Sequence, residues 1–172
     1  MMRGVCLLLL TLPLSSCGDN SPKQAPATDA SRALDEQAIA KGLLPDPEGR
    51  ALAGRFETRS DLGVDKFCAV GDEGRFDIGM LAVFGPDSKC EAQGRAEFTD
   101  DKVRVTLNGG GSCSFDAEFD GIQLRFPGSV PAGCASYCSP RASMSGTAYY
   151  FTEPGNVSAR RTLGRDIERL CP

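Results

Sequence analysis

Residues 113–126 read CSFDAEFDGIQLRF, two runs of alternating apolar and polar side chains on either side of Asp120-Gly121. Aspartate and glycine both tolerate the positive φ angles of a two-residue turn, so this stretch predicts a β-hairpin. Such a turn places Phe119 opposite Ile122. One face of the hairpin then carries six apolar side chains, those of Phe115, Ala117, Phe119, Ile122, Leu124 and Phe126. A hairpin that is apolar on one face needs a core to cover it, which indicates a β-rich domain.

The opposite face of this hairpin is polar. The predicted register pairs Glu118 with Gln123 and Asp116 with Arg125. Asp116 and Glu118 are two residues apart on one strand, so about 6.6 Å separates them at about 3.3 Å per residue. That separation fits the acid and base of an inverting glycosidase, so a carboxylate-based hydrolase is one hypothesis. The alternative, which we favour, is a solvated outer face on which Arg125 is the cross-strand partner.

The hairpin before this one continues the same register. A turn at 100–101 pairs Phe98 with Val103, and an odd-length loop, NGGGS, then pairs Leu107 with Cys113. The loop lacks the lysine and the following helix of a phosphate-binding loop, so it is interpreted as a hairpin connection. Together the two hairpins predict a four-stranded meander over 94–126.

Strands outside the meander complete the predicted fold. They are expected near Arg55, near Phe76 and at TAYYF, residues 147–151, which gives about seven strands in all. The predicted fold class is therefore mainly β: a small antiparallel barrel or sandwich, stabilised by disulfides, with an N-terminal and a C-terminal helix.

The two predicted helices lie at the ends of the domain. SRALDEQAIAK, residues 31–41, has apolar side chains at helical spacing and is followed by glycine. SARRTLGRDIERLC, residues 158–171, has an apolar side and an arginine side. The arginine side is either the solvated face of an amphipathic helix or a surface for lipid phosphates or an acidic partner. Its members are Arg161, Arg165 and Arg169.

The chain begins MMRGVCLLLLTLPLSSC, with one basic residue, an apolar run and small residues before Cys17. This is the layout of a secretory signal peptide, and the run is shorter than the roughly 20 apolar residues that cross a bilayer. The ending LSSC resembles the lipobox of bacterial lipoproteins. The resemblance implies a signal peptide over 1–16, cleavage before Cys17 and a diacylglycerol on its thiol. An ordinary secreted protein cut near Ser16 is the alternative.

The segment after the leader predicts a tether. Residues 17–30 contain two prolines and no large apolar side chain, so they cannot bury enough surface to order themselves. Residues 31–172 then form a single β-rich periplasmic domain. In enterobacterial lipoproteins, an aspartate after the lipidated cysteine marks retention in the inner membrane. Gly18 at that position implies the outer membrane, with the domain facing the periplasm.

Six cysteines follow Cys17: Cys68, Cys90, Cys113, Cys134, Cys138 and Cys171. An even number in an exported chain predicts three disulfides. The meander register brings Cys90 and Cys113 to one end, so these two are predicted partners, and the other pairings stay open. The spacing of Cys134 and Cys138 also suggests a metal site, but there is neither a second close pair nor a histidine. We therefore expect no metal and no cofactor.

Composition excludes two classes of function. The chain has no histidine, which rules out Ser-His-Asp and Cys-His catalysis. Its formal net charge is -4 at pH 7, and this mild acidity argues against nucleic-acid binding.

One short motif resembles a known family. SGTAY, residues 145–149, is similar to the S-G-x-x-Y loop of the periplasmic lysozyme inhibitors, which are small bacterial β-barrels and in some cases lipoproteins. The resemblance implies that Ser145 and Tyr149 enter the lysozyme cleft, while Gly146 permits the turn that presents them. The alternative is a structural turn that leads into the TAYYF strand.

The sequence thus predicts a non-enzymatic cell-envelope lipoprotein with a binding or structural role and an unidentified protein partner. A lysozyme inhibitor is the second hypothesis, and a carboxylate-based hydrolase is the third. Membrane contact is expected through the lipid on Cys17, and the sequence does not determine the oligomeric state.

Overall fold

The computed structural model describes residues 28–40, 51–109 and 111–172. In chain order, its elements are α1 (Asp29–Ala40), β1 (Gly54–Ser60), β2 (Gly63–Asp72), β3 (Arg75–Gly85), β4 (Ser88–Thr99), β5 (Lys102–Leu107), β6 (Ser114–Phe119), β7 (Gln123–Arg125), a 3-10 turn (Ala132–Tyr137), β8 (Ala148–Pro154) and α2 (Asn156–Arg160). The strands pair antiparallel in chain order and β8 pairs with β1, which closes a barrel. The mainly β class is confirmed, as a barrel with eight strands in the described residues rather than about seven.

The strand that sequence analysis misses is β2, with the sequence GVDKFCAVGD. Its four consecutive residues from Phe67 to Val70 are all buried. Phe67 and Ala69 belong to the core inside the barrel, whereas Cys68 and Val70 belong to a second apolar cluster. A strand covered on both faces loses the alternation by which half-exposed strands are recognised.

The two ends of the barrel are covered differently. The entry end holds the first residue of β1 and the short turns that join β2 to β3, β4 to β5 and β6 to β7. The far end holds the other turns and the long connection between β7 and β8, residues 126–147. We call this connection the plug.

The predicted register of the meander is confirmed for its first three strands, β4, β5 and β6. Phe98 pairs with Val103 across the β4–β5 turn. The Leu107 N–H donates to the Cys113 carbonyl at 2.9 Å, and Val105 lies opposite Phe115. The apolar alternation is strong enough here to define the register, because a one-residue slip would turn each apolar side chain to solvent.

The β6–β7 turn is wider than predicted. Phe119 pairs with Leu124, so four residues rather than two separate the last pair of this hairpin, and the register is shifted by two. The Asp120 carboxylate accepts the N–H groups of Ile122 at 2.9 Å and of Gln123 at 2.6 Å, which stabilises the wider turn. A shift of two keeps each strand residue on its predicted face. Ile122, however, lies in the loop and is 51% exposed, so its predicted place on the apolar face was wrong.

Aromatic side chains fill the barrel. The Phe56 ring lies edge-on to Phe67 and Phe151, with centroid distances of 5.5 and 4.9 Å. Phe126 lies 5.4 Å from Tyr149 in a similar geometry. Edge-to-face pairs of this kind add stabilisation beyond the area they bury. These rings join the two ends of the barrel into one apolar core.

The predicted C-terminal helix is wrong beyond its first residues. Only α2 is helical in the described residues after β8, and residues 161–172 form an irregular strap that folds back on itself. Leu163 pairs antiparallel with Arg169, and the Leu170 N–H donates to the Thr162 carbonyl at 2.9 Å. Leu163, predicted on the apolar face, is 55% exposed. The strap lies against the outer wall of the barrel, where it covers a strip that would otherwise be exposed.

This outer strip and its cover form the second apolar cluster. The barrel contributes Cys68, Val70, Leu81 and Val83, and the C-terminal part contributes Ala159, Leu170 and Cys171. The strap backbone approaches so closely that a Cβ atom at Gly79 would lie 2.0 Å from the Leu170 carbonyl oxygen. Glycine at position 79 is therefore required for the strap to dock.

Glu91 on β4 holds the tip of the strap. Its carboxylate accepts the backbone N–H groups of Arg165 at 2.6 Å, of Asp166 at 2.9 Å and of Ile167 at 3.3 Å. Its side chain is only 4% exposed and forms an ion pair with Lys89, which also contacts Asp166 at 2.6 Å. Burial alone would raise the pKa of Glu91. The hydrogen bonds from Lys89 and from the strap backbone outweigh burial and hold this pKa below its usual value.

The predicted Cys90–Cys113 disulfide is wrong. Cys113 pairs with Cys134, and Cys90 pairs with Cys138. Gly94 faces Leu107 in the β4–β5 pair. Cys90 lies four residues before Gly94 on β4, so about 13 Å separates these two residues at about 3.3 Å per residue. The plug supplies the partner for each of these barrel cysteines.

The third disulfide joins Cys171 of the strap to Cys68 of β2. All six cysteines beyond Cys17 are thus paired in the described part of the chain, which confirms the predicted disulfide stabilisation. It also leaves these cysteines with a structural role rather than a metal-binding one.

At the N-terminus, α1 confirms the predicted first helix, and Leu34 on it is 67% exposed. The helix starts within the segment predicted as tether. The predicted signal peptide, Cys17, Gly18, the rest of the tether up to residue 27 and Lys41 lie outside the described residues.

Glu91→Gln tests the attachment of the strap. The glutamine amide has the shape of the glutamate carboxylate but no charge. Its NH2 group is a donor and cannot accept the backbone N–H groups of the strap. We expect the free energy of unfolding at pH 7 to fall by about 2 to 3 kcal/mol in urea titrations. Glu97→Gln, an exposed position on the same strand, is the matched control and should change stability by less than about 0.5 kcal/mol.

The difference in stability between the wild type and Glu91→Gln should depend on pH. Because the folded-state pKa of Glu91 is lowered, the ionised side chain stabilises the fold fully above the unfolded-state pKa of about 4.3. This stabilisation is lost as pH falls through the folded-state pKa. The advantage of the wild type over Glu91→Gln should therefore shrink below about pH 4.3. An advantage that is unchanged at pH 3 would contradict this assignment.

Candidate partner-binding surface

The plug is an irregular connection that is held rigidly over the far end. Its 3-10 turn is fixed by the Cys113–Cys134 bridge and, one residue beyond its end, by Cys90–Cys138. The Tyr137 hydroxyl donates to the Gly109 carbonyl at 2.9 Å, which ties the plug to the β5–β6 loop. A connection of this length with so little regular structure is uncommon in a compact domain, and such loops are usually functional.

Ser145 and Gly146 lie near the end of the plug. The Ser145 N–H donates to the Ser143 hydroxyl at 3.1 Å, and the two serine hydroxyls lie 3.0 Å apart. Gly146 is exposed with φ of 71°, a conformation that favours glycine. The Gly146 N–H donates to the Pro127 carbonyl at 2.8 Å, so the two sides of the plug meet at this turn.

Tyr149 is separated from this surface. Its side chain is 0% exposed and its ring lies 5.6 Å from Phe67 inside the barrel. The hydroxyl makes no hydrogen bond of normal geometry among the described residues, although Thr147 lies near it, and burial raises its pKa. The structure therefore does not bring Tyr149 together with Ser145 as a binding pair, and the predicted role of this side chain in partner contact does not fit its place in the core.

The tyrosine that does face outward on β8 is Tyr150, which is 49% exposed. Sequence reasoning missed it, although alternation along TAYYF requires one tyrosine on each face of the strand. The signal that assigns the faces is the pairing of β8 with β7, where Leu124, an inward residue, lies opposite Tyr149.

Near Ser145 the plug encloses a small apolar crevice. Its volume is about 130 Å³, and Ala135, Ala142, Ser143 and Met144 are among the residues that line it. Ala135 and Ser143 are exposed, whereas Met144 is buried. The plug therefore offers a rigid outer surface in which hydroxyl groups lie next to apolar side chains.

The three predicted arginines do not form a row. They lie on the strap, which is not helical, so their i,i+4 spacing no longer places them on one side. Arg165 donates to the carbonyls of Gly85 at 3.1 Å and of Pro86 at 3.0 Å, which holds the strap to the β3–β4 turn. Arg161 and Arg169 are exposed.

Asp116, one of the two carboxylates proposed for a hydrolase, is paired with an arginine on the outer wall. Asp116 lies opposite Arg104 and makes a two-pronged ion pair with it, whereas the predicted partner Arg125 lies opposite Glu118. The difference follows from the two-residue shift of the β6–β7 turn. The hydrogen bond from Arg104 lowers the pKa of Asp116, which is opposite to what a general acid needs.

A further opening lies at the entry end. It is an open cleft of about 900 Å³ whose lining includes Phe98, Arg75 and three carboxylates, those of Glu73, Glu97 and Asp100. It shares no residue with the plug.

Two further observations concern metals and membranes. In the three described ranges, no group of three or more His, Cys, Asp or Glu side chains could hold a metal ion. No helix in the described part of the chain is long and apolar enough to cross a bilayer.

Comparison of the chain with protein-family models, with curated proteins and with solved structures gives no significant match.

Two substitutions test the buried role of Tyr149. Tyr149→Phe removes only a hydroxyl without a partner, so the free energy of unfolding should stay the same or rise by up to about 1 kcal/mol. Tyr149→Ala removes a core ring and should cost about 3 to 5 kcal/mol. Chemical denaturation measures both effects, with the outward-facing Tyr150→Ala as control. A loss of more than about 2 kcal/mol in Tyr149→Phe would mean that the hydroxyl is hydrogen-bonded.

Proposed function

We propose that this chain is a lipid-anchored protein of the bacterial cell envelope that binds a partner through the plug and does not catalyse a reaction. The observation that carries the proposal is that three disulfides use each of the six cysteines beyond Cys17. Structural disulfides persist in oxidising compartments, so the domain suits the periplasm. The leader supplies the route of export, and Cys17 is left for the lipid.

The topology supports the plug as the surface that meets a partner. The chain enters the barrel at Gly54, at the entry end, and the plug covers the opposite end. A domain tethered through its N-terminal segment can therefore hold the plug away from the point of attachment. Fixing the plug by two disulfides also reduces the conformational entropy that would be lost on binding.

Two features favour binding over catalysis. Aromatic rings occupy the barrel where a substrate cavity would otherwise lie. The carboxylate pair proposed for a hydrolase lies on the outer wall, where Asp116 is exposed enough to be solvated and is neutralised by Arg104. A general acid requires a raised pKa in a secluded site, which this wall does not provide.

The lysozyme-inhibitor hypothesis is weakened by the position of Tyr149. Of the three residues that the resemblance assigns, Ser145 and Gly146 lie on the plug surface and Tyr149 lies in the core. A partner of the plug would therefore have to be recognised by a different set of side chains.

Cys17→Ser tests the anchor. The variant should accumulate as an uncut precursor or as a soluble form, because two or more acyl chains are what hold such a protein on a membrane. Membrane fractionation and mass spectrometry of the mature N-terminus measure both properties. Cys6→Ser, within the leader, is the matched control and should leave the anchor intact. An unmodified Cys17 thiol on the wild-type protein would contradict the proposal.

Photo-crosslinking in intact cells tests the plug. A photoreactive amino acid is placed at Ala135 or Ser143 on the plug, and at the exposed Thr106 on the barrel wall as control. We expect a defined protein adduct from both plug positions and at least about tenfold less of it from Thr106. Equal adduct formation at the three positions, or none from the plug, would contradict a binding role for this surface.

A lysis assay tests the lysozyme-inhibitor hypothesis. The soluble chain from Gly18 onward is mixed with lysozyme and bacterial cell walls, and clearing of turbidity is followed. Because Tyr149 is buried, we expect no slowing at micromolar concentrations against several lysozyme types. Slowing that Ser145→Ala weakens by about 1 to 3 kcal/mol would contradict this expectation, since it would show the serine buried against lysozyme.

A further inference from the structure

We draw no further inference here: the strongest candidate, the open cleft at the entry end of the barrel lined by Phe98, Arg75 and the carboxylates of Glu73, Glu97 and Asp100, carries nothing because it is a cluster of acidic side chains around one ring and nothing in the structure shows what covers it.

Discussion

Aromatic packing inside the barrel is the interaction on which the other features depend. Phe56, Phe67, Phe126 and Tyr149 are fully or almost fully buried, and they come from strands and from the start of the plug. Their rings leave the ends and the outer wall as the surfaces for any partner. At the far end the plug covers this core with buried side chains such as Met144.

A second consequence concerns the outer wall. Four outward positions on β2 and β3 are apolar as well, so the barrel needs a cover over that strip. The strap provides it, and several residues of the barrel wall contact the strap directly. Gly79 makes room for a carbonyl, Glu91 binds three backbone N–H groups, and Gln93 donates to the Leu170 carbonyl at 3.0 Å. The end of the chain is therefore an integral part of the domain.

The fold could be predicted from the sequence where alternation was strong. The β4–β5–β6 register follows from apolar residues at every second position, and it is confirmed down to the pairing of Val105 with Phe115. The strap could not be predicted in the same way. Its apolar spacing also fits a helix, and the decisive contact is with Glu91, which lies more than seventy residues earlier in the chain. The predicted disulfide pairing was wrong for a related reason, because the register of the strands does not determine the path of the plug.

The candidate surface was predicted only in part. Ser145 and Gly146 lie where a turn was expected, because a serine-glycine pair at the start of a strand favours one. The side of the sheet on which Tyr149 points depends on the pairing of β8 with β7 and β1, which are distant in sequence from one another. Alternation within TAYYF could show that the two tyrosines face opposite sides, but only the closed barrel determines which of them is inside.

The Cys68–Cys171 bridge sets an order on the maturation of this protein. Its partners are 103 residues apart, whereas Cys113 and Cys134 are only 21 apart. A chain that emerges from its N-terminus can close the shorter bridge before Cys171 has appeared. Cys68 cannot form its native bridge until Cys171 has appeared. During that interval Cys68 can react with a wrong cysteine. Correct assembly therefore requires that Cys134 and Cys138 have already paired with Cys113 and Cys90, or that wrong pairs are exchanged afterwards.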